Sequence, residues 1–204
     1  MKTINEYKDM ALQSLEGNWT RAAVASLITF ALLDIFGSSP SLFLDPVPSL
    51  VGQGVIVFLL LPLAWGYAVF FLRLIHHENI DYGRLFDGFS DYFRIFVAEL
   101  LKGVYVLLWS LLLIIPGIIK TYSYAMTEFI LKDNPEMSGE QAICESMRLM
   151  QGHKTQLFLL DLSMIGWLIL SLLTLGIGLL FLYPYYYTAH AHFYEDLKVN
   201  NTNL

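Results

Sequence analysis

Cysteine, charged residues and known catalytic motifs are all scarce in this chain. Its 204 residues contain one cysteine, Cys144, which excludes an internal disulfide and a metal site built from several cysteines. We expect Cys144 to be a small buried residue on an amphipathic segment. Charged residues make up 15% of the chain, against about 25% in a typical soluble domain, and the mean hydropathy is +0.55. This composition favours a membrane protein.

Sequence motifs of the common enzyme classes are absent as well. The chain has no G-x-S-x-G elbow, no P-loop and no glycine-rich dinucleotide-binding loop. His76 and His77 are adjacent, and His190 and His192 are two residues apart, so neither pair has the spacing of a zinc motif such as H-E-x-x-H. We therefore predict a protein that is not an enzyme, with no catalytic residue, no metal site, no cofactor and no nucleic-acid partner.

Two long runs of the sequence carry no Asp, Glu, Lys or Arg. Residues 162–194 form a run of 33, and residues 46–72 form a run of 27. One membrane-spanning helix needs about 20 apolar residues. The run 162–194 is too long for one upright helix and is interrupted by Leu175-Gly176-Ile177-Gly178. It therefore predicts a transmembrane hairpin.

The hydrophobic pattern as a whole predicts an all-α fold, a polytopic transmembrane helical bundle of about six crossings with amphipathic surface helices. Pro62 and Gly66 should kink the second crossing. The fourth apolar segment is 14 residues long, about 21 Å as a helix, so it is either a thin crossing or one arm of a re-entrant hairpin. The expected crossings are residues 20–36, 50–74, 93–115, 118–131, 155–174 and 179–193.

Pro116-Gly117 separates the third and fourth apolar segments. Proline lacks an N–H, and glycine tolerates the conformations that a chain reversal requires. We therefore predict a helix break at these two residues, close to the external side of the membrane.

Residues 1–204 are predicted to form a single integral-membrane domain. Residues 1–17 should form an amphipathic helix on the membrane surface, opened by a capping box of Thr3 and Glu6. Residues 18–197 should form the transmembrane bundle, and residues 198–204 a polar, disordered tail.

A second capping box, Ser138 with Gln141, should open another amphipathic helix that ends at Gly152. Gly17, Gly88 and Gly152 each stand between an amphipathic segment and an apolar helix, which suggests three units of surface helix plus hairpin. The spacings of 71 and 64 residues are unequal. Such a repeat is compatible with a transporter and equally with simple duplication.

The basic residues predict the orientation of the chain. If the N-terminus is cytoplasmic, 11 of the 12 Lys and Arg residues fall on the cytoplasmic side, and Lys120 alone falls outside. The positive-inside rule therefore predicts that both termini are cytoplasmic. The 11 are Lys2, Lys8, Arg21, Arg73, Arg84, Arg94, Lys102, Lys132, Arg148, Lys154 and Lys198.

Ionisable residues inside the apolar segments are the candidates for function. Glu99 and Lys102 are three residues apart on one helix and can neutralise each other, and Lys120 lies near the Pro116-Gly117 turn. Asp161 has no obvious partner nearby in the sequence. It is either structural or part of a substrate or proton site, and we expect it to face the bundle and bond to a Tyr, Ser, Lys or Arg.

Other polar residues have plainer interpretations. Asp34 and Glu128 lie near predicted helix ends and should be solvated. The cluster of Tyr183, Tyr185, Tyr186 and Tyr187 is expected either to pack at the membrane interface or to line an aromatic cavity.

Several strings resemble a bacterial integral-membrane family, domain-of-unknown-function family nine-seven-five. The resemblance extends over nearly the whole chain and is densest at residues 109–197. It implies a location in a bacterial cytoplasmic membrane and implies no activity, cofactor or site residue. The strings that carry it are residues 114–120 (IIPGIIK), 122–126 (YSYAM), 133–136 (DNPE), 152–154 (GHK), 157–167 (LFLLDLSMIGW) and 174–178 (TLGIG).

The sequence therefore predicts a non-enzymatic, multi-pass membrane protein that acts through lipids or proteins, for example as an accessory or envelope-organising factor. Its expected partners are membrane lipids, a second copy of the chain or another membrane protein. The first alternative is a small transporter with a polar site near Asp161, and the second is an intramembrane enzyme. A polar cavity that reaches the midplane would favour the transporter, and an intramembrane enzyme would need two or more polar side chains that converge at one membrane face.

Overall fold

The computed structural model describes residues 1–38, 49–78 and 80–202, and it is helical throughout, with no strand in those ranges. Most of the predicted loop between the first two apolar segments, including Ser41, lies outside the described residues. The helices are α1 (Ile4–Leu15), α2 (Trp19–Ser38), α3 (Ser49–Ile75), a 3-10 helix (Tyr82–Phe89), α4 (Tyr92–Leu112), α5 (Ile114–Ser123), α6 (Thr127–Asp133), α7 (Gly139–Leu149), α8 (Lys154–Leu162), α9 (Ile165–Leu173) and α10 (Leu179–Thr202).

Helix α1 begins with the predicted capping box of Thr3 and Glu6. Its apolar face does not lie on a membrane surface as expected, because Tyr7, Ala11 and Leu15 are fully buried against the protein. The partner of α1 is α10, where the Tyr7 hydroxyl donates to Asp196 Oδ2 at 2.6 Å. An amphipathic pattern predicts which face of a helix is buried. It does not distinguish burial against lipid from burial against protein.

The core lies between α10 and the second half of α3. Helix α10 also contacts α1 and α2, and its buried Phe193 and Tyr194 pack in one cluster with Phe70 and Phe71 of α3. Helix α3 continues through Pro62 as a single helix, and the kink expected there stays a prediction. Helix α10 continues to Thr202, so residues 199–202 are helical where a disordered tail was expected.

The chain breaks between α4 and α5 at Leu113, three residues before the predicted Pro116. Leu113 is extended, with φ −159° and ψ 144°. Proline is tolerated in the first turn of a helix, where its missing N–H would have no helical partner, so Pro116 lies inside the start of α5. Gly117 then packs so closely on α4 that a Cβ there would lie 2.1 Å from Ser110 Oγ.

Helices α5 and α6 together return along α4. A short turn at residues 124–126 separates them. Arg94, near the start of α4, donates to the carbonyl oxygens of Leu131, Asn134 and Met137 at the end of this return path. The segment 118–131 therefore belongs to an arm that extends along most of α4.

A second hairpin is formed by α8 and α9 on one arm and α10 on the other. A turn at Ser163 and Met164 interrupts the first arm. At the tip, Leu175 and Gly176 have φ values of +54° and +86°. A Cβ on Gly178 would lie 2.7 Å from Ser171 Cα, so this hairpin also closes with a glycine against a serine seven residues earlier.

The tips of both hairpins are apolar and exposed. In the part of the chain that the structure describes, Tyr92–Leu112 and Lys154–Leu173 are the two helical segments long and apolar enough to cross a membrane, with 11% and 22% of their apolar windows buried. The all-α class is confirmed, and the count of six crossings remains a prediction.

Two smaller expectations need correction. Cys144 lies on the exposed face of α7, not the buried one. Gly17 and Gly152 both have positive φ, as equivalent helix-ending residues would, but Gly88 does not. Gly88 instead allows a close approach to α3, because a Cβ there would lie 2.4 Å from the Pro62 carbonyl oxygen. Of the three predicted repeats of surface helix plus hairpin, the first and the third are therefore the most similar.

Candidate functional site

Lys102 binds two carboxylates between α4 and α6. Its Nζ donates to Glu99 Oε1 at 2.9 Å and to Glu128 Oε1 at 2.5 Å. The Glu99 pair follows from the helical spacing, as predicted. Glu128 is not the solvated residue that was expected, because the start of α6 packs beside α3, where the Trp65 indole N–H donates to the Glu128 carbonyl oxygen at 3.1 Å. The three charged side chains are 13% to 22% exposed.

Asp161 pairs with His190 of α10. His190 Nε2 lies 2.7 Å from Asp161 Oδ1, and the imidazole packs against the Tyr186 ring with centroids 4.0 Å apart. Asp161 faces another segment, as predicted, but histidine was not among the expected partners. The two residues are 29 positions apart, and the pairing depends on the antiparallel register of α8 and α10, which local spacing does not reveal.

The two ionic groups border neighbouring cavities that share a wall. A cavity of about 480 Å³ is lined by Glu99, Lys102 and Glu128 together with His190. A neighbouring cavity of about 320 Å³ is lined by Asp161 and shares His190 and its flanking residues with the first. The shared wall consists of Thr121, Ala125, Tyr186 and His190. Three carboxylates, one lysine and one histidine therefore surround a single polar region.

The tyrosines of α10 both pack against another helix and line a cavity, and their position at a membrane interface stays a prediction. Tyr187 packs edge-on against Tyr67 with centroids 5.2 Å apart. Tyr183, Tyr186 and Tyr187 also line a slot of about 370 Å³ that ends at Asp161. Tyr185 is buried on a different face of the helix.

Lys120 is separate from this polar region. Its ammonium group lies 5.0 Å from the centroid of the Trp109 ring and 3.9 Å from Met147 Sδ of α7. Cation–π contact of this kind is a common way to accommodate a partly buried lysine. Lys120 therefore contacts the amphipathic helix that the sequence assigned to the cytoplasmic side.

The end of the molecule opposite the hairpin tips carries a network of ion pairs, here called the charged base. Its distances are 2.7 Å for Arg73–Asp87, 2.6 Å for Lys132–Glu78, 2.7 Å for Lys198–Asp133 and 3.0 Å for His76–Glu195. Burial alone raises the pKa of Glu78, but the Lys132 hydrogen bond and charge outweigh it, so the net pKa is lowered.

Asp196 shows the same balance beside the charged base. Burial raises its pKa, whereas hydrogen bonds from the Tyr7 hydroxyl and the Lys2 backbone N–H lower it, and the net pKa lies below the usual aspartate value. Burial also raises the pKa of Tyr7, so its hydroxyl stays a donor. This pair fastens the first helix to the last.

The polar region can hold a proton or a cation and can form hydrogen bonds. Each carboxylate is already paired with a base, and no serine or cysteine lies among the residues that line the two cavities. Within residues 1–38, 49–78 and 80–202, no group of three or more His, Cys, Asp and Glu side chains is placed to hold a metal ion. The geometry thus offers charge and hydrogen bonding.

Comparison with known proteins gives one match. A family model described as "Protein of unknown function (DUF975)" matches residues 1–123 and 111–201. No curated protein and no solved structure matches the chain.

Proposed function

The chain belongs to the DUF975 family of proteins of unknown function, and we propose that it is a non-enzymatic integral membrane protein that acts through contacts with lipids or with other membrane proteins. An accessory or envelope-organising role in a bacterial cytoplasmic membrane fits this proposal.

The observation that carries the proposal is the exposed apolar surface of the two hairpins. A helix in the core of a soluble protein is mostly buried, but here the apolar windows of Tyr92–Leu112 and Lys154–Leu173 are only 11% and 22% buried. Monomeric soluble proteins rarely expose contiguous apolar patches of more than a few hundred Å². Lipid is the covering that such helices are suited to.

The positions of the termini support an orientation with both ends on the cytoplasmic side. The Met1 amino group lies 3.4 Å from Asn200 Oδ1, and Lys2 pairs with Asp196, so both termini are at the same end of the molecule. The ion pairs of the charged base lie at this end too. Lys120 was the one basic residue that the sequence placed on the external side. Because it contacts α7, this orientation puts it on the cytoplasmic side with the others, in agreement with the positive-inside rule.

Membrane extraction and thiol labelling test the proposal. The protein should stay in the membrane fraction at alkaline pH in carbonate. In a Cys144→Ser background, Ser138→Cys should react with a membrane-impermeant maleimide in inverted vesicles and not in intact cells. Release by carbonate, or labelling of Ser138→Cys in intact cells, would contradict the location or the orientation respectively.

A small transporter with a polar site at Asp161 is the second candidate. The neighbouring cavities favour it, because a substrate pathway needs polar groups that face the interior of the bundle. Asp161→Asn keeps the shape of the side chain and removes its charge. A transporter should lose function at unchanged expression and melting temperature, whereas a purely structural Asp161 should leave the growth phenotype of a complemented deletion strain unaltered.

A further inference from the structure

We propose that the hairpins α4–α5 and α9–α10 end inside the hydrocarbon and occupy one leaflet from the cytoplasmic side, with their tips near the middle of the bilayer. The exposed apolar faces of the two hairpins thus contact the acyl chains of a single leaflet. The inference rests on the proposed membrane location and concerns the depth to which the hairpins reach.

The composition of the tips is the first reason. A hairpin that crosses a bilayer completely exposes its turn to water on the far side. Here large aliphatic side chains lie in and beside the turns, and those at both tips are 61% to 95% exposed. No Asp, Glu, Lys or Arg occurs in residues 103–119 or 162–194. The aliphatic residues concerned are Leu111, Leu112, Leu113, Ile114, Ile115, Leu172, Leu173, Leu175 and Ile177.

The backbone of the α9–α10 turn is the second reason. Hydrocarbon offers no hydrogen-bond partner, so backbone N–H groups at membrane depth must be paired inside the protein. Nine consecutive N–H groups, from Thr174 to Leu182, all donate to acceptors within the hairpin. Gly178 completes this set by donating to the Thr174 hydroxyl at 3.0 Å. Helix starts normally leave several N–H groups for water, and this one leaves none.

The tip between α4 and α5 is paired less completely. Leu113 N–H donates to the Trp109 carbonyl oxygen and Gly117 N–H to that of Leu113. Pro116, between them, has no N–H to satisfy. For the N–H groups of residues 114 and 115 the structure shows no acceptor, so the turn with every N–H paired is that of α9–α10.

The depth of the charged side chains is the third reason. Ten residues separate Lys102 from Leu112, which is about 15 Å of helix, and 12 residues separate Asp161 from Leu173, about 18 Å. A bilayer core is about 30 Å thick, so each apolar tip is about one leaflet long. Full crossing would leave Glu99, Lys102 and Asp161 near the midplane. One-leaflet insertion places them near the cytoplasmic interface, where charged groups cost little.

A spin-label scan along the lipid-facing stripe of α4 tests this inference. Leu100, Val104, Leu108 and Leu112 are four residues apart and all 40% to 69% exposed, so cysteine at each removes little packing. Each variant, in a Cys144→Ser background, carries a nitroxide in phosphatidylcholine vesicles that admit a water-soluble nickel chelate to both faces. The ratio of oxygen to nickel collisions reports depth.

Two further positions complete the design. Leu173→Cys reports the tip of the other hairpin, and Glu140→Cys on the exposed face of α7 is the matched control outside the bilayer. We expect the ratio to rise continuously from residue 100 to residue 112, to be high at residue 173, and to be low at residue 140.

The possible outcomes separate this inference from the proposed function. A ratio that peaks at residue 104 or 108 and falls again at residue 112, in protein that resists carbonate extraction, would overturn one-leaflet insertion and leave the membrane location intact. A low ratio at all positions, with release by carbonate, would overturn the proposed function itself. Circular dichroism of each labelled variant verifies that the helices are retained.

Discussion

Replacing Lys102 by methionine should strongly destabilise the protein. The ammonium group neutralises Glu99 and Glu128 at 2.9 Å and 2.5 Å, and these carboxylates are only 13% and 22% exposed. Methionine fills nearly the same space and provides no charge. Removing one partner of a largely buried ion pair costs about 3–5 kcal/mol, because the remaining charge is left without compensation. Two carboxylates are left here, so we expect a loss of unfolding free energy of about 3 kcal/mol or more.

The pair Lys132–Glu78 provides the matched control, because Lys132 is about as buried as Lys102, at 16% and 21% exposed, and its carboxylate partner is not. Its distance of 2.6 Å is as short, but the Glu78 side chain is 40% exposed. Exposed ion pairs contribute at most about 1 kcal/mol, so Lys132→Met should lower the stability by no more than that.

Denaturation in detergent, followed by the fluorescence of the four tryptophans, measures both effects. A third variant, Lys102→Met with Glu99→Gln and Glu128→Gln, removes all three charges and should recover most of the stability lost by Lys102→Met. Two results would contradict this role of Lys102. One is an equal loss of unfolding free energy in Lys102→Met and Lys132→Met. The other is a neutral triple variant that is no more stable than Lys102→Met.

Two other perturbations test the packing and the attachment of the first helix. Gly66→Ala should lower the melting temperature, because a Cβ would lie 2.0 Å from the Leu85 carbonyl oxygen. In the control Gly103→Ala the Cβ meets no atom within 4 Å, so this variant should gain up to about 1 kcal/mol from helix propensity. Equal effects of the two substitutions would refute this packing. Because the folded state lowers the pKa of Asp196, the stability it provides is present above its ordinary value of 3.8 and is lost as the pH falls through the lower folded value. The protection factors of the α1 amides, which correct exchange rates for the intrinsic effect of pH, should therefore fall below about pH 3.8. Tyr7→Phe, which removes the hydroxyl donor, should reduce that pH dependence, and protection factors that do not change with pH would contradict the role of this pair.

Local patterns in the sequence predicted the features that depend on a few neighbouring residues. The capping boxes at Thr3 and Ser138 are present, since each needs only a side chain and the N–H three residues later. The break before α5 was predicted from Pro116 but occurs at Leu113, because proline is accommodated in a first helical turn. A sequence pattern locates such breaks only to within a turn.

Tertiary register determined what the sequence missed. Glu99 and Lys102 were paired correctly because both lie on one helix face. Glu128 joins them only because α6 packs beside α3, and Asp161 reaches His190 only through the alignment of α8 with α10. Contacts of this kind, between residues tens of positions apart, have no local pattern from which they could be derived.

The attachment of α1 to α10 has a consequence for biosynthesis. The Tyr7–Asp196 bond joins residues 189 positions apart, so the partner of α1 is synthesised long after α1 itself. Until then the apolar face of Tyr7, Ala11 and Leu15 has no protein to cover it. The nascent chain can rest that face on the lipid surface, as its amphipathic pattern predicts, and exchange lipid for protein when α10 arrives. A chain that terminates before α10 would keep α1 on the membrane and would lack the final step of assembly.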